Sequence, residues 1–383
     1  MTARPVLWVL LPLALLIAIG AAFLAADPLR TFRMSAPPVE ELTVERTVLD
    51  GEGIALLVRA GGSEPLRIAQ VQVDGAYWEF TQEPPGVLPY LTTAWIRLPY
   101  PWVAGEAHKV VLLSSLGTAF EHPIEVAIAT PGRNSLATLG LVGLFVGVVP
   151  VALGMLFYPA LRAGGRGVYS FALALTVGLL LFLLVDTLEE ALELAAEAAP
   201  GLHGGILVWM VAALAALLLL AVGRRGGTSP QGLSLATAIA LGIGLHNLGE
   251  GLAIGSAFAT GAAALGSFLV LGFTLHNVTE GVGIVAPLIE ERPRPLIFAA
   301  LAALAGLPAV AGIWLGSYAF APHWAALALA VGAGAIFQVI VEVGLLLVRR
   351  TRAEGRGVMG AAAAGGVAAG VVLMYATALL VQA

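Results

Sequence analysis

A six-residue pattern occurs twice in the second half of the chain and combines residue types that bind metal ions. It reads HNLGEG at residues 246–251 and HNVTEG at residues 276–281. In each copy the His and the Glu are four residues apart, so on a helix they share one face, which the Asn borders. Both copies lie in apolar sequence, where ionisable side chains are costly and are usually retained for function. Two such helices facing each other predict a divalent-metal site made of His246, Asn247, Glu250, His276, Asn277 and Glu280.

The composition indicates that the two copies belong to a membrane protein. Of the 383 residues, 59% are hydrophobic and only 11% are charged, and the mean hydropathy is +0.94. A soluble protein of this size has about 25% charged residues. The net charge of -5 gives no basic region, so we expect no nucleic-acid partner. Because the chain has no cysteine, the metal ligands must be imidazole, carboxylate and carbonyl groups, which suit zinc, iron or manganese better than copper(I).

The elements before the motifs differ from those that carry them. Residues 1–33 contain a long apolar run and are either an uncleaved signal anchor or a cleaved signal peptide. Residues 34–132 contain prolines, charges and alternating segments, with strands expected at 68–73, 94–98 and 108–113. This pattern predicts a small, exported β-sandwich domain.

Residues 133–383 contain apolar segments of membrane length, which predict an all-α polytopic domain of eight helices. Alternate connections between these segments are rich in arginine, so by the positive-inside rule they face the cytoplasm and place residues 34–132 outside. The segments are 134–161, 168–190, 203–223, 231–259, 262–288, 295–320, 322–349 and 357–382, and the arginines are Arg162, Arg166, Arg224, Arg225, Arg292, Arg294, Arg349, Arg350, Arg352 and Arg356.

The paired HNxxEG motif on the fourth and fifth of eight apolar segments resembles the ZIP (Zrt/Irt-like) family of divalent-metal transporters. The resemblance covers residues 134–383 and excludes the β-rich domain. It implies an eight-helix bundle in which the first, fourth, fifth and sixth helices move against the others. It also implies one metal held by the four His and Glu side chains of the motifs, and a second held by the two Asn side chains with both Glu bridging.

This chain departs from the family pattern in its sixth segment. Many members supply a further glutamate there, whereas residues 305–309 read AGLPA and the segment has no acid. We therefore expect one mononuclear site, with Asn247 and Asn277 as helpers along the path. The connection at residues 223–231 has no histidine, so a regulatory metal-sensing loop is not expected.

Other polar residues are candidates for an ion pathway. Asp186, Glu189 and Glu190 end the second segment at its outer side, where they either guide metal inward or are simply solvated. Glu342 and Gln338 lie within the seventh segment and either line the pathway or bond to a neighbouring helix. The remaining histidines are expected at the surface; they are His108, His122, His203 and His323.

These patterns favour a multi-pass transporter of the cell membrane (plasma or inner) that moves divalent metals toward the cytoplasm. Zinc is the expected substrate, with iron, manganese and cadmium as further ones; no cofactor and no enzyme activity are expected. Two alternatives remain open: an intramembrane metalloenzyme, although no HExxH motif occurs, and a metal sensor or receptor that signals through residues 34–132. The expected partners are the ions and membrane lipid, with a homodimer as a further option.

Overall fold

The structure is a computed structural model that describes residues 14–22, 25–26, 39–130, 136–224, 230–259, 263–319, 322–353 and 360–382. Residues 14–22 and 25–26 are helical and belong to a separate unit, Met1–Val39. The rest of the predicted anchor or signal peptide, residues 1–33, lies outside the described residues. The second unit begins at Glu40 and contains every element described below.

The β-rich part consists of two antiparallel sheets of four strands each, in the orders β1-β2-β6-β5 and β4-β3-β7-β8. The three segments predicted from alternating sequence are confirmed as strands β3, β6 and β7. The strands are β1 (Leu42–Asp50), β2 (Gly53–Ala60), β3 (Ile68–Val73), β4 (Ala76–Trp78), β5 (Thr81–Glu83), β6 (Thr93–Leu98), β7 (His108–Ser114) and β8 (Ala119–Ile124).

The alternating residues of these strands supply one buried hydrophobic cluster. Leu56 on β2 and Ile96 on β6 come from one sheet, and Val110 and Leu112 on β7 come from the other. All four are fully buried, and the polar neighbours Arg97 and Lys109 are exposed. The period-two pattern therefore predicts the buried faces correctly, because successive side chains of a strand point to opposite faces.

Eight described helices are long and apolar enough to cross a membrane, which indicates a multi-pass membrane protein. The eight predicted segments are thus confirmed as helices, although α2 continues seven residues beyond the predicted end at residue 190. The helices are α1 (Leu136–Ala163), α2 (Gly165–Glu197), α3 (Gly204–Gly223), α4 (Gly232–Ala259), α5 (Ala263–Val285), α6 (Pro295–Ala319), α7 (Pro322–Ala353) and α8 (Ala361–Gln382).

Two of the helices depart from regular α geometry. Helix α1 includes a wider, π-helical turn at Leu144–Val148, and Pro150 follows two residues after its end. Helix α6 contains Pro308 in its interior. Because proline has no backbone N–H, each of these positions leaves a carbonyl group of the preceding turn without its usual helical donor.

Glycines allow the helices that carry the motifs to lie very close to their neighbours. A methyl group at Gly251 of α4 would collide with the carbonyl oxygen of Ala309 on α6, and one at Gly312 of α6 would collide with that of Leu248. Such small-residue contacts are a common way for membrane helices to associate. In contrast, α3 and α8 lie at the periphery and expose large apolar side chains such as Leu217 and Val372.

Candidate metal site

The four ionisable side chains of the motifs meet between helices α4 and α5. His246 and Glu250 lie on α4, and His276 and Glu280 lie on α5; all four are at least nine-tenths buried. Oε1 of Glu250 lies 2.8 Å from Nε2 of His246 and 2.6 Å from Nε2 of His276. One potential ligand atom from each of His246, His276 and Glu280 falls within 4.8 Å of the others. The spacing inferred from the sequence therefore brings the predicted His and Glu residues together.

A threonine outside the motifs determines which nitrogen of His246 faces the cluster. The hydroxyl of Thr187 on α2 donates to the carbonyl of Leu183 at 2.7 Å, and its oxygen lies 3.0 Å from Nδ1 of His246. Since the hydroxyl proton is already used, Oγ1 accepts a proton from Nδ1 of His246. The other nitrogen, Nε2, then faces the cluster, where a neutral ring would offer its lone pair to a metal ion.

Several buried polar atoms of the site have no hydrogen-bond partner among the described residues. A buried carboxylate without compensation is costly, so this concentration favours a bound cation. Nε2 of His246 lies 2.8 Å from Oε1 of Glu250, but the two groups do not have hydrogen-bond geometry. The unpartnered atoms are Nε2 of His246, Oε2 of Glu250, both carboxylate oxygens of Glu280, and Oδ1 of Asn247 and of Asn277.

The two asparagines are fully buried and bond to neighbouring helices through their nitrogen atoms. Nδ2 of Asn247 donates to the carbonyl of Ala305 on α6 at 3.0 Å. Nδ2 of Asn277 donates to the carbonyl of Val146 on α1 at 2.9 Å. The structure therefore places both predicted asparagines beside the cluster, with one amide N–H of each bonded to a backbone carbonyl.

A cavity of about 880 Å³ extends between the β-rich part and the helices and reaches His276. Its walls include the carboxyl end of α2 and strand β8, together with the residues just after that strand. Three of the predicted pathway residues line it, along with further acids that the sequence analysis did not single out. The acidic lining residues are Asp186, Glu189, Glu190, Glu193, Glu197, Glu121 and Glu125.

The other two predicted pathway residues lie elsewhere. Glu342 on α7 is fully buried, and one of its oxygens lies 2.7 Å from Nε of Arg224, just after α3. Gln338 is also buried, one turn before Glu342. Of the two roles considered for Glu342, the structure gives it the bond to a neighbouring helix; a pathway role stays a prediction.

The histidines expected at the surface differ in their environments. His203 is exposed, whereas His108 is buried and its Nδ1 lies 2.8 Å from a carboxylate oxygen of Asp74, so the expectation was wrong for His108. Burial alone would raise the pKa of Asp74, but hydrogen bonds from the backbone N–H of Lys109 and from His108 and Tyr100 lower it below its usual value. Nδ1 of His323, at the start of α7, lies 3.6 Å from Oε1 of Glu45 on β1. This contact joins the β-rich part to the helices.

The fold and the site together define a multi-pass helical membrane protein with a buried His/Glu cluster between two helices. The sequence matches no family model, and it matches none of the curated proteins with which it was compared. What the protein does must therefore be argued from the cluster itself and from the cavity that reaches it.

Proposed function

We propose that this protein transports divalent transition-metal ions, with zinc as the main substrate, across the cell membrane. The observation that carries the proposal is the buried cluster of His246, Glu250, His276 and Glu280, in which several ligand atoms lack partners. Such groups are rare within apolar helices unless they serve a function. The resemblance of the paired HNxxEG motif to ZIP transporters supports the same conclusion.

The ligand types suit an ion that must be both bound and released. Two carboxylates provide a charge of about -2 when ionised, which compensates a divalent cation in a site of low polarity. Imidazole and carboxylate ligands select zinc, iron or manganese over alkali ions. Because a proton competes with the metal for the same lone pairs, binding should weaken as the pH falls.

The acidic cavity and the arginine distribution suggest a direction of transport. The cavity would attract cations to His276, while the arginine-rich connections would lie at the cytoplasmic end of the helices. We infer that the β-rich part is extracytoplasmic and that ions move inward. The shared core of its two sheets is what a sandwich would have, which supports that architecture for this part.

Metal flux into liposomes tests the proposal. The purified full-length chain is reconstituted into proteoliposomes that contain a zinc-sensitive dye, and external zinc is added. We expect protein-dependent dye signal that other transition metals reduce by competition and magnesium does not. A folded protein that binds zinc but gives no flux above empty liposomes would refute the transporter and favour a sensor or an enzyme.

A further inference from the structure

The bond made by Asn277 reaches α1 where the regular hydrogen bonds of that helix are interrupted. In the π-helical turn the N–H of Val149 bonds to the carbonyl of Leu144, five residues earlier. The next residue, Pro150, has no N–H to offer the carbonyls of this turn. Nδ2 of Asn277 on α5 donates to one of these carbonyls, that of Val146, at 2.9 Å.

Helices α4 and α6 meet in a similar way around Pro308. This proline removes the usual donor of the Leu304 carbonyl, and Gly244 of α4 lies directly against that oxygen. The next carbonyl, that of Ala305, accepts the hydrogen bond from Nδ2 of Asn247. Each motif helix is thus bonded through its asparagine to a helix that proline has opened.

The final glycine of each motif extends the same contact by one turn. Gly251 lies against the carbonyl of Ala309, four residues after the carbonyl that Asn247 binds. Gly281 lies against the carbonyl of Val151, five residues after the one that Asn277 binds. The wider turn of α1 falls in this interval and accounts for the additional residue. The two contacts are therefore equivalent, apart from one inserted residue.

We propose that Asn247 and Asn277 are positioning residues, and that each contributes to transport through its amide N–H rather than through its oxygen. The hydrogen bond of each asparagine fixes the adjacent histidine of its motif relative to a second helix. The pairs α4–α6 and α5–α1 then hold the two halves of the cluster at their observed separation. The transport readout of this inference rests on the proposed function, whereas its stability readout does not.

Asn277→Leu tests the joint between α5 and α1. It removes the donor to the Val146 carbonyl with little change in shape. We expect a melting temperature lower by ~2–4 °C and a KM for zinc raised about five- to tenfold. Wild-type values of both quantities would overturn the joint.

Asn247→Leu is the matched variant at the joint between α4 and α6. Asn247 and Asn277 each donate to one carbonyl of a neighbouring helix, at 3.0 Å and 2.9 Å, so we expect losses of similar size in the two variants. A loss in one variant alone would overturn the equivalence of the two joints.

Asn277→Asp separates the nitrogen from the oxygen. It keeps an oxygen where Oδ1 stands but replaces the donor by an acceptor that faces a carbonyl. We expect this variant to lose at least as much stability and zinc affinity as Asn277→Leu. A wild-type KM and a wild-type melting temperature would show that Asn277 contributes through its side-chain oxygen. If the wild-type chain itself moved no zinc, the proposed function would fail. The melting temperatures would still show whether the Asn277 hydrogen bond stabilises the contact between α5 and α1.

Discussion

The two histidines of the site are held in different ways, although their motifs are nearly identical in sequence. His246 bonds through Nδ1 to Thr187, whereas His276 bonds through Nε2 to Glu250. A metal ion that enters the cluster could meet Nε2 of His246 without breaking the bond to Thr187, but it would have to displace His276 from Glu250. We therefore expect the two residues to contribute unequally to affinity.

Removing the hydroxyl of Thr187 should weaken metal binding without unfolding the protein. Valine is nearly isosteric with threonine, so Thr187→Val removes only the hydroxyl group that orients His246. We expect zinc affinity to fall by about tenfold in calorimetric titrations, because residues that orient a metal-binding histidine commonly have effects of this size. Thr237→Val is the control, since Thr237 makes the same bond to its own helix but is exposed; equal losses in both variants would contradict the role of Thr187.

The ligand residues themselves should be needed for flux. His246→Ala and Glu280→Ala each remove a ligand atom of the cluster, and we expect each to abolish zinc flux in proteoliposomes while the helical circular-dichroism signal persists. His203→Ala changes an exposed histidine and should keep wild-type flux. Wild-type flux in either ligand variant would refute the site.

The sequence predicts the four His and Glu residues of the cluster but not the residues that orient them. The i, i+4 spacing of His and Glu is a property of a single helix, and it survives any arrangement of the bundle. Thr187 lies on α2, 59 residues before His246 in the chain. No pattern within one helix tells which neighbour it will face, so this contact could not be predicted.

At the scale of helices, the close contact of α4 with α6 depends on glycine. Gly251→Ala adds a methyl group where the carbonyl of Ala309 stands. We expect thermal unfolding in detergent to show destabilisation by about 1–3 kcal/mol, as for other overpacked interiors. Gly344→Ala on α7 meets open space and should be neutral or stabilising by up to about 1 kcal/mol. Similar melting temperatures for the two variants would contradict the close packing.

Strand β8 gives the β-rich part a dependence on pH. Burial lowers the pKa of His122 from 6.5 to about 4, and Thr47 bonds to its neutral ring at 2.8 Å. The unfolded chain takes up a proton near pH 6.5 and the folded one only near pH 4, so stability is full above 6.5 and falls as the pH drops from 6.5 to 4. We expect the free energy of unfolding to fall by roughly 1–3 kcal/mol over this pH range, as measured by tryptophan fluorescence. His122→Gln should flatten this profile; an unchanged profile would assign the effect to other groups.

Hydropathy predicts the eight helices because length and apolarity alone are sufficient to define a membrane span. It does not predict the wider turn at Leu144–Val148, which depends on how α1 meets α5 and α6. The hydropathy pattern ends α2 at residue 190, seven residues too early, because the acids after that residue resemble a solvated loop. In the structure these acids continue the helix along the wall of the cavity.

At the scale of the whole molecule, the β-rich part contributes one wall of the cavity that reaches the site. Glu121 on β8 and Glu125 just beyond it face the same space as the acids of α2. An acidic opening raises the local concentration of cations, and this effect is screened by salt. The sequence does not predict this position of the β-rich part, because no residue of β8 indicates what lies opposite it.

Neutralising this wall should slow the capture of metal. For the double variant Glu121→Gln/Glu125→Gln we expect a KM for zinc raised about two- to fivefold at low ionic strength, with an unchanged maximal rate and a smaller difference at high salt. The charge-matched control is Glu64→Gln/Glu83→Gln, which changes two exposed acids away from the cavity lining. Equal effects from both pairs would show that only the net charge of the protein matters.

The extra residue in the wider turn of α1 has a consequence for the energetics of any transport cycle. The pairs α4–α6 and α5–α1 repeat one contact, except that one pair carries an inserted residue. If the helices of each pair moved against each other, the two contacts would therefore not break and re-form with the same free energy. We expect the resting protein to favour one arrangement before any ion binds.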